Sequence, residues 1–186
     1  MYIAIPVFTL IGIIGWGIYF LIDLYKHRFT NLWRRAFIHS SIVYMIVVVH
    51  LTIGYLQFPA QTLMIDRVQF VPFRFVYDWY MASMHGSWFF WNSVKLTTYN
   101  FLLLIPLGIY LTSLYKLRPR RGLVLVILTT IVIELTQLVL TEFGFLYRGF
   151  NVDDLLLNSL GGWFGLWIGS VILNKTRAIE HKRKAA

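Results

Sequence analysis

The chain has no cysteine among its 186 residues, which excludes disulfides, thiol nucleophiles and cysteine-ligated metals. Charge is scarce as well. Asp, Glu, Lys and Arg make up 13% of the chain, against roughly 25% in a soluble domain. No internal repeat or low-complexity stretch stands out. Ser-His-Asp order, a phosphate-cradling glycine-rich loop and a zinc motif are all missing, so no metal or cofactor is expected. The first apolar segment lacks a basic leader and a small-residue cleavage site and is too long for a cleaved signal, so it reads as a retained helix.

What the chain has instead is apolar length. It is 58% hydrophobic with a mean hydropathy of +0.66, and runs of about 20 apolar residues read as membrane spans. Backbone groups in lipid must be satisfied internally, so each span is a helix. The expectation is an all-α integral membrane protein, a five-helix transmembrane bundle in one domain covering 1–186. Its spans fall at about 2–25, 36–58, 96–115, 122–141 and 154–173.

The basic excess is topological. Segments 26–35 and 116–121 and the tail from Lys175 hold thirteen of the 17 Lys and Arg residues. Arg67, Arg74, Lys95 and Arg148 lie on the opposite side. The positive-inside rule puts the N-terminus outside and the C-terminus in the cytoplasm, and a nucleic-acid partner is not expected. The loop between the second and third spans is then external and dense in aromatics, as membrane–water interfaces are. Phe73, Val76, Tyr77, Tyr80, Met81 and Met84 recur at helical spacing, with Arg74 and Asp78 four apart on another face. This predicts an amphipathic segment that lies on the outer leaflet or re-enters it.

Several polar residues fall inside the spans. At 1.5 Å of rise per residue, Gln137, Asn158 and Asn100 lie roughly 6 Å from the outer ends, Glu134 roughly 10 Å and His50 roughly 12 Å. The inner half reads as mainly glycine, threonine and apolar residues. Glu134, Gln137 and Thr141 share one helix face. Asp154 and Asn158 share another, which Gly161, Gly165 and Gly169 continue as a stripe that lets a second helix approach closely. On that reading Gly165→Leu separates the helices and Gly165→Ala does much less. A carboxyl at the depth of Glu134 is costly unless protonated, paired or wet, and Arg148 is the available partner. The plainer account of "FNVDD" is a helix start, with Asn151 as N-cap and Asp153 and Asp154 favourable to the dipole.

Four stretches together carry a resemblance: "VQFVPF" at 68–73, "NFLLLIPLG" at 100–108, "IELTQ" at 133–137 and "RGFNVDDLLLNSLGG" at 148–162. The chain resembles the VanZ-like family of bacterial membrane proteins, associated with lowered susceptibility to glycopeptides and to teicoplanin in particular. It departs at Asn151, where many members carry an acidic residue. The resemblance implies an envelope role in the bacterial plasma membrane.

Three readings follow for the polar residues. In the first, Glu134, Gln137, Arg148, Asp153, Asp154, Asn158, Asn100 and His50 line an outward-facing pocket. It takes a membrane lipid, a lipid-linked cell-wall precursor or a glycopeptide antibiotic. In the second, the protein is a membrane enzyme acting on a polyprenyl or phospholipid headgroup, with Glu134 as general acid or base. In the third, it is a small lipid flippase working as a homodimer across the glycine stripe.

Overall fold

The computed structural model describes residues 3–27, 30–60 and 68–185. Tyr2, Arg28 and Arg67, all used in the sequence reading, lie outside them. The chain is mostly helical, and among the described residues five helical segments are long and apolar enough to cross a membrane: Val7–Lys26, Leu32–Thr52, Ser87–Ser113, Pro119–Glu142 and Val152–Lys175. Its contacts divide it into two compact units, one of residues 1–68 and 135–150, the other of 69–134 and 151–186.

In the first unit, α1 (Val7–His27) and α2 (Leu32–Thr52) form an antiparallel hairpin. Gly12 on α1 lets Ile46 of α2 close in, since a Cβ there would lie 3.0 Å from its Cγ1. The second span was expected to run from 36 to 58. The helix instead begins at Leu32 and stops at Thr52, because Gly54 takes a left-handed φ of 61° and the chain turns into β2 (Leu56–Phe58). That strand pairs antiparallel with β1 (Ile3–Ile5), Ile3 opposite Phe58. The Gln57 backbone N–H also donates to the Phe145 carbonyl at 2.9 Å.

The second unit holds α3 (Arg74–Met84), α4 (Ser87–Leu103), α5 (Ile105–Ser113) and α7 (Val152–Ala185). The helix α6 (Pro119–Glu142) belongs to it through Glu134. Two-residue strands β3 (Val68–Gln69) and β4 (Phe150–Asn151) mark the points where the chain passes between units. The aromatic loop does form a helix. Phe73, Val76, Tyr77, Tyr80 and Met84 are exposed, while Phe75 and Trp79 turn inward with ring centroids 5.1 Å apart. The Trp79 indole donates to Thr97 Oγ1 of α4 at 3.1 Å. Arg74 and Asp78 face each other at 3.8 Å, about half exposed.

The third span was expected at 96–115. The helix starts nine residues earlier, at Ser87, and breaks at Leu104. Pro106 has no N–H to give to the turn before it, and Leu104 sits at φ −99°, ψ 5°. Leu104, Val126 and Leu166 are the buried apolar centre of this unit.

The glycine stripe of α7 is filled from within the chain. A Cβ on Gly161 would overlap the Phe101 carbonyl, with its carbon 2.9 Å away. One on Gly165 would overlap the Ile105 carbonyl, with its carbon 2.8 Å away, and one on Gly169 would meet Thr112 Cβ at 2.9 Å. From the facing side, Gly108 leaves room for the backbone of Gly162, Gly165 and Leu166. Two expectations change. Alanine at Gly165 is costly and not mild, because main-chain atoms oppose its Cβ. Nor is the stripe free to be a seam between two copies, since α4 and α5 already occupy it.

Candidate functional site

The second unit gathers most of the predicted polar residues at the start of α7. Asn151 caps the helix: its Oδ1 accepts the Asp153 backbone N–H at 2.9 Å, one of the donors a helix start leaves unpaired. Its own backbone N–H donates to Glu134 Oε2 at 2.9 Å, so the buried carboxyl of α6 is tied to the entry of α7. Asp154 reaches both across to α4 and back to the cap residue of its own helix. Its Oδ1 accepts from Asn100 Nδ2 at 2.5 Å and from Asn151 Nδ2 at 3.3 Å. Asn100 therefore lies level with the first turn of α7 and near the middle of the α4–α5 span. The first thirteen residues of α4, roughly 20 Å of helix, project past it.

Asp153 has a different task from the one expected. It is 2% exposed and accepts the backbone N–H groups of Phe73 at 2.6 Å and Phe75 at 2.9 Å. It thereby caps the N-terminus of α3 from eighty residues away, a charge-assisted arrangement that anchors the aromatic helix. Asp153 is a positioning residue whose oxygens are already engaged.

One turn further along α7, Asn158 is 2% exposed. Its Nδ2 reaches Thr130 Oγ1 of α6 at 3.3 Å, and its Oδ1 has no hydrogen-bond partner among the described residues. A buried amide oxygen without a donor costs about 1–3 kcal/mol.

The other predicted residues belong to the first unit. Gln137 is 2% exposed and donates to the Thr52 carbonyl at 2.7 Å. Arg148 Nη1 donates to the carbonyls of Leu51 at 3.2 Å and Thr52 at 3.4 Å. The Thr141 hydroxyl donates to the Arg148 carbonyl. Gln137 and Arg148 thus meet two of the carbonyls, Leu51 and Thr52, that the C-terminus of α2 leaves unpaired. His50 sits in the last turn of α2 itself, with Nδ1 3.1 Å from Thr9 Oγ1 of α1.

The profile of the VanZ/LLP1 family matches residues 41–173. That stretch contains every residue described so far in this site except Thr9. The chain belongs to the VanZ/LLP1 family. No curated protein and no solved structure matches it. Every polar contact at the head of α7 in this VanZ-family chain falls inside the matched stretch. Among the described residues, no three His, Asp or Glu side chains come together to hold a metal ion.

A second polar cluster lies outside the family stretch and was missed from the sequence. Asp23 on α1, 8% exposed, takes Arg35 Nε at 2.7 Å and Nη2 at 2.6 Å on Oδ2, and His39 Nε2 at 2.9 Å on the same atom. The signal was present. Arg35 and His39 are four apart on α2, directly after a short hairpin, opposite the one acid of α1. The basic count assigned Arg35 to a loop instead.

Proposed function

We propose that this VanZ-family protein is a cell-envelope protein of the bacterial plasma membrane that binds a lipid-anchored ligand at the head of α7. The ligand class is a lipid-linked cell-wall precursor or the acyl tail of a lipoglycopeptide, and its capture lowers glycopeptide susceptibility. The observation that carries the reading is Asn158. A nearly closed amide, its oxygen unpartnered among the described residues, sits one turn below Asp154 and Asn100. A hydroxyl or amide N–H of a bound headgroup supplies the missing donor. The exposed aromatic face of α3, held in place by Asp153, offers an apolar platform for the lipid portion.

The positive-inside distribution supports a head at the outer leaflet, with the N-terminus outside and the C-terminus in the cytoplasm. A reporter active only outside the cell, fused after Ala186, stays silent on this account. The binding test is a titration of nanodisc-embedded protein with an undecaprenyl-diphosphate-linked peptidoglycan precursor, read by tryptophan fluorescence. Saturable binding that weakens in Asn100→Ala supports the reading. Absence of binding, or binding indifferent to Asn100, overturns it.

A further inference from the structure

The turn from α5 into α6 holds Arg118, Arg120 and Arg121. Among the described residues no carboxylate pairs with any of the three. The fold sets two of them beside an apolar surface. Gly122 faces the Leu166 side chain of α7, and Val126, one turn on, is fully buried. The outer side of α6 then presents Val124 and Leu125, both exposed. The Leu117 backbone N–H donates to the Leu111 carbonyl at 3.1 Å, which holds the turn against the end of α5.

Between this turn and α6 lies a groove of about 410 Å³, bordered by Leu117, Arg120, Arg121, Val124 and Leu125. Its wall is hydrocarbon. Arg120 and Arg121 thus line it with their aliphatic stems and carry their charged heads at its rim, as long cationic side chains do beside lipid. The space equals roughly fourteen water-sized volumes of ~30 Å³, which admits part of one acyl chain.

We propose that this groove holds one anionic phospholipid, with an acyl chain against Leu117, Val124 and Leu125 and the phosphate at the guanidinium groups of Arg120 and Arg121. Charge complementarity selects the occupant. Two cations without acid partners, set at the rim of a hydrocarbon wall, match an amphiphile that is apolar along its length and negative at its head. Guanidinium pairs with phosphate through parallel N–H donors. A zwitterionic lipid brings its own ammonium to the same rim and loses most of that attraction. Positive-inside counting supports a place in the cytoplasmic leaflet. The head of α7 is built from other residues, so this proposal stands independently of ligand binding there.

The test uses the full chain in neutral detergent, titrated with palmitoyl-oleoyl phosphatidylglycerol, with phosphatidylcholine of the same chains, and with glycerol 3-phosphate as competitor. Native mass spectrometry counts the bound lipid. Residues 118, 120, 121 and 124 are all exposed, so substitutions there leave the fold in place. The account expects one phosphatidylglycerol bound in preference to phosphatidylcholine. Arg120→Gln and Arg121→Gln should each lower phosphatidylglycerol affinity about fivefold, the worth of one basic residue at an anionic headgroup, with phosphatidylcholine unaffected. Arg118→Gln removes the same charge but borders no part of the groove, and should change affinity less than about twofold. Val124→Trp fills the groove and should weaken both lipids. Equal affinity for the two lipids, equal losses in Arg118→Gln and Arg120→Gln, unchanged binding in Val124→Trp, or displacement of the lipid by an equal concentration of glycerol 3-phosphate each overturn it.

Discussion

Adding one methyl group at Gly165 probes the contact on which the whole second unit depends. In the middle of α7 the exchange of glycine for alanine favours the helix by about 1 kcal/mol. Against this, the new Cβ would overlap the Ile105 carbonyl oxygen, 2.8 Å from its carbon and 3.0 Å from Ile105 Cα. These are main-chain atoms and cannot rotate aside, so α7 and α5 must move apart. Overpacking of this kind costs about 1–3 kcal/mol and occasionally more, and a backbone obstacle puts Gly165 at the upper end. The net expectation is a loss of about 2 kcal/mol, or roughly 4–8 °C in Tm for a chain of this size. Gly15 on α1 is the control, because a Cβ there meets nothing within 4 Å and only the helix-propensity gain remains. Thermal unfolding of both variants in the same detergent, followed by size-exclusion fluorescence, gives the comparison. Gly165→Ala matching Gly15→Ala would refute the close packing of α7 on α5.

Asp153→Ala removes two charge-assisted bonds to the N-terminus of α3, each worth about 1.5–3 kcal/mol. Limited proteolysis within 70–86 should accelerate markedly, with Asp153→Asn intermediate; unchanged cleavage would disprove the cap. Asn151→Ala should cost about 0.5–2 kcal/mol as a lost N-cap while Asn151→Asp costs little, because Asp caps about as well; chemical unfolding reads both. Arg74→Ala and Asp78→Ala should each change unfolding stability by no more than their lost pairing, about 0.3–0.5 kcal/mol for an exposed i,i+4 pair, and a larger effect in chemical unfolding would show that α3 is more enclosed than its exposure indicates.

The spans were legible because hydrocarbon demands long apolar runs, and five were expected where five are found. Their ends were not, for local reasons. Lys95 depresses the hydropathy ahead of Leu96, yet its ammonium lies 5.5 Å from the Tyr99 ring centre and the helix runs straight through it. Arg35 reads as loop and is helical, because Asp23 neutralises it. Residues 56–58 read as apolar helix and are strand, because Ile3–Ile5 offers them a ladder.

The polar site divides the same way. Asn151 was readable as a cap from its place before "VDD", and Glu134 as a costly carboxyl from its depth. The partner of Asp153 was not, since nothing in local spacing joins residue 153 to residues 73 and 75. The Asp23 cluster was overlooked because its members were sorted by span and loop, whereas a helical hairpin brings the two ends of a loop together. Gly165 was readable as a packing position, but its spacing does not say that what faces it is the backbone of Ile105, which turns alanine from a mild change into a costly one.

The central claim is that the head of α7 holds a ligand that satisfies Asn158. Asn158→Leu tests it most directly, because leucine matches the amide in volume and removes the unpaired oxygen with its penalty. The measurement is mass spectrometry of lipids retained by purified wild-type and Asn158→Leu protein, with Tm recorded alongside. The account predicts a defined lipid-linked species on the wild type that is absent from Asn158→Leu, while Tm stays within a few degrees. The same lipids on both proteins, or only bulk phospholipid on the wild type, would contradict it.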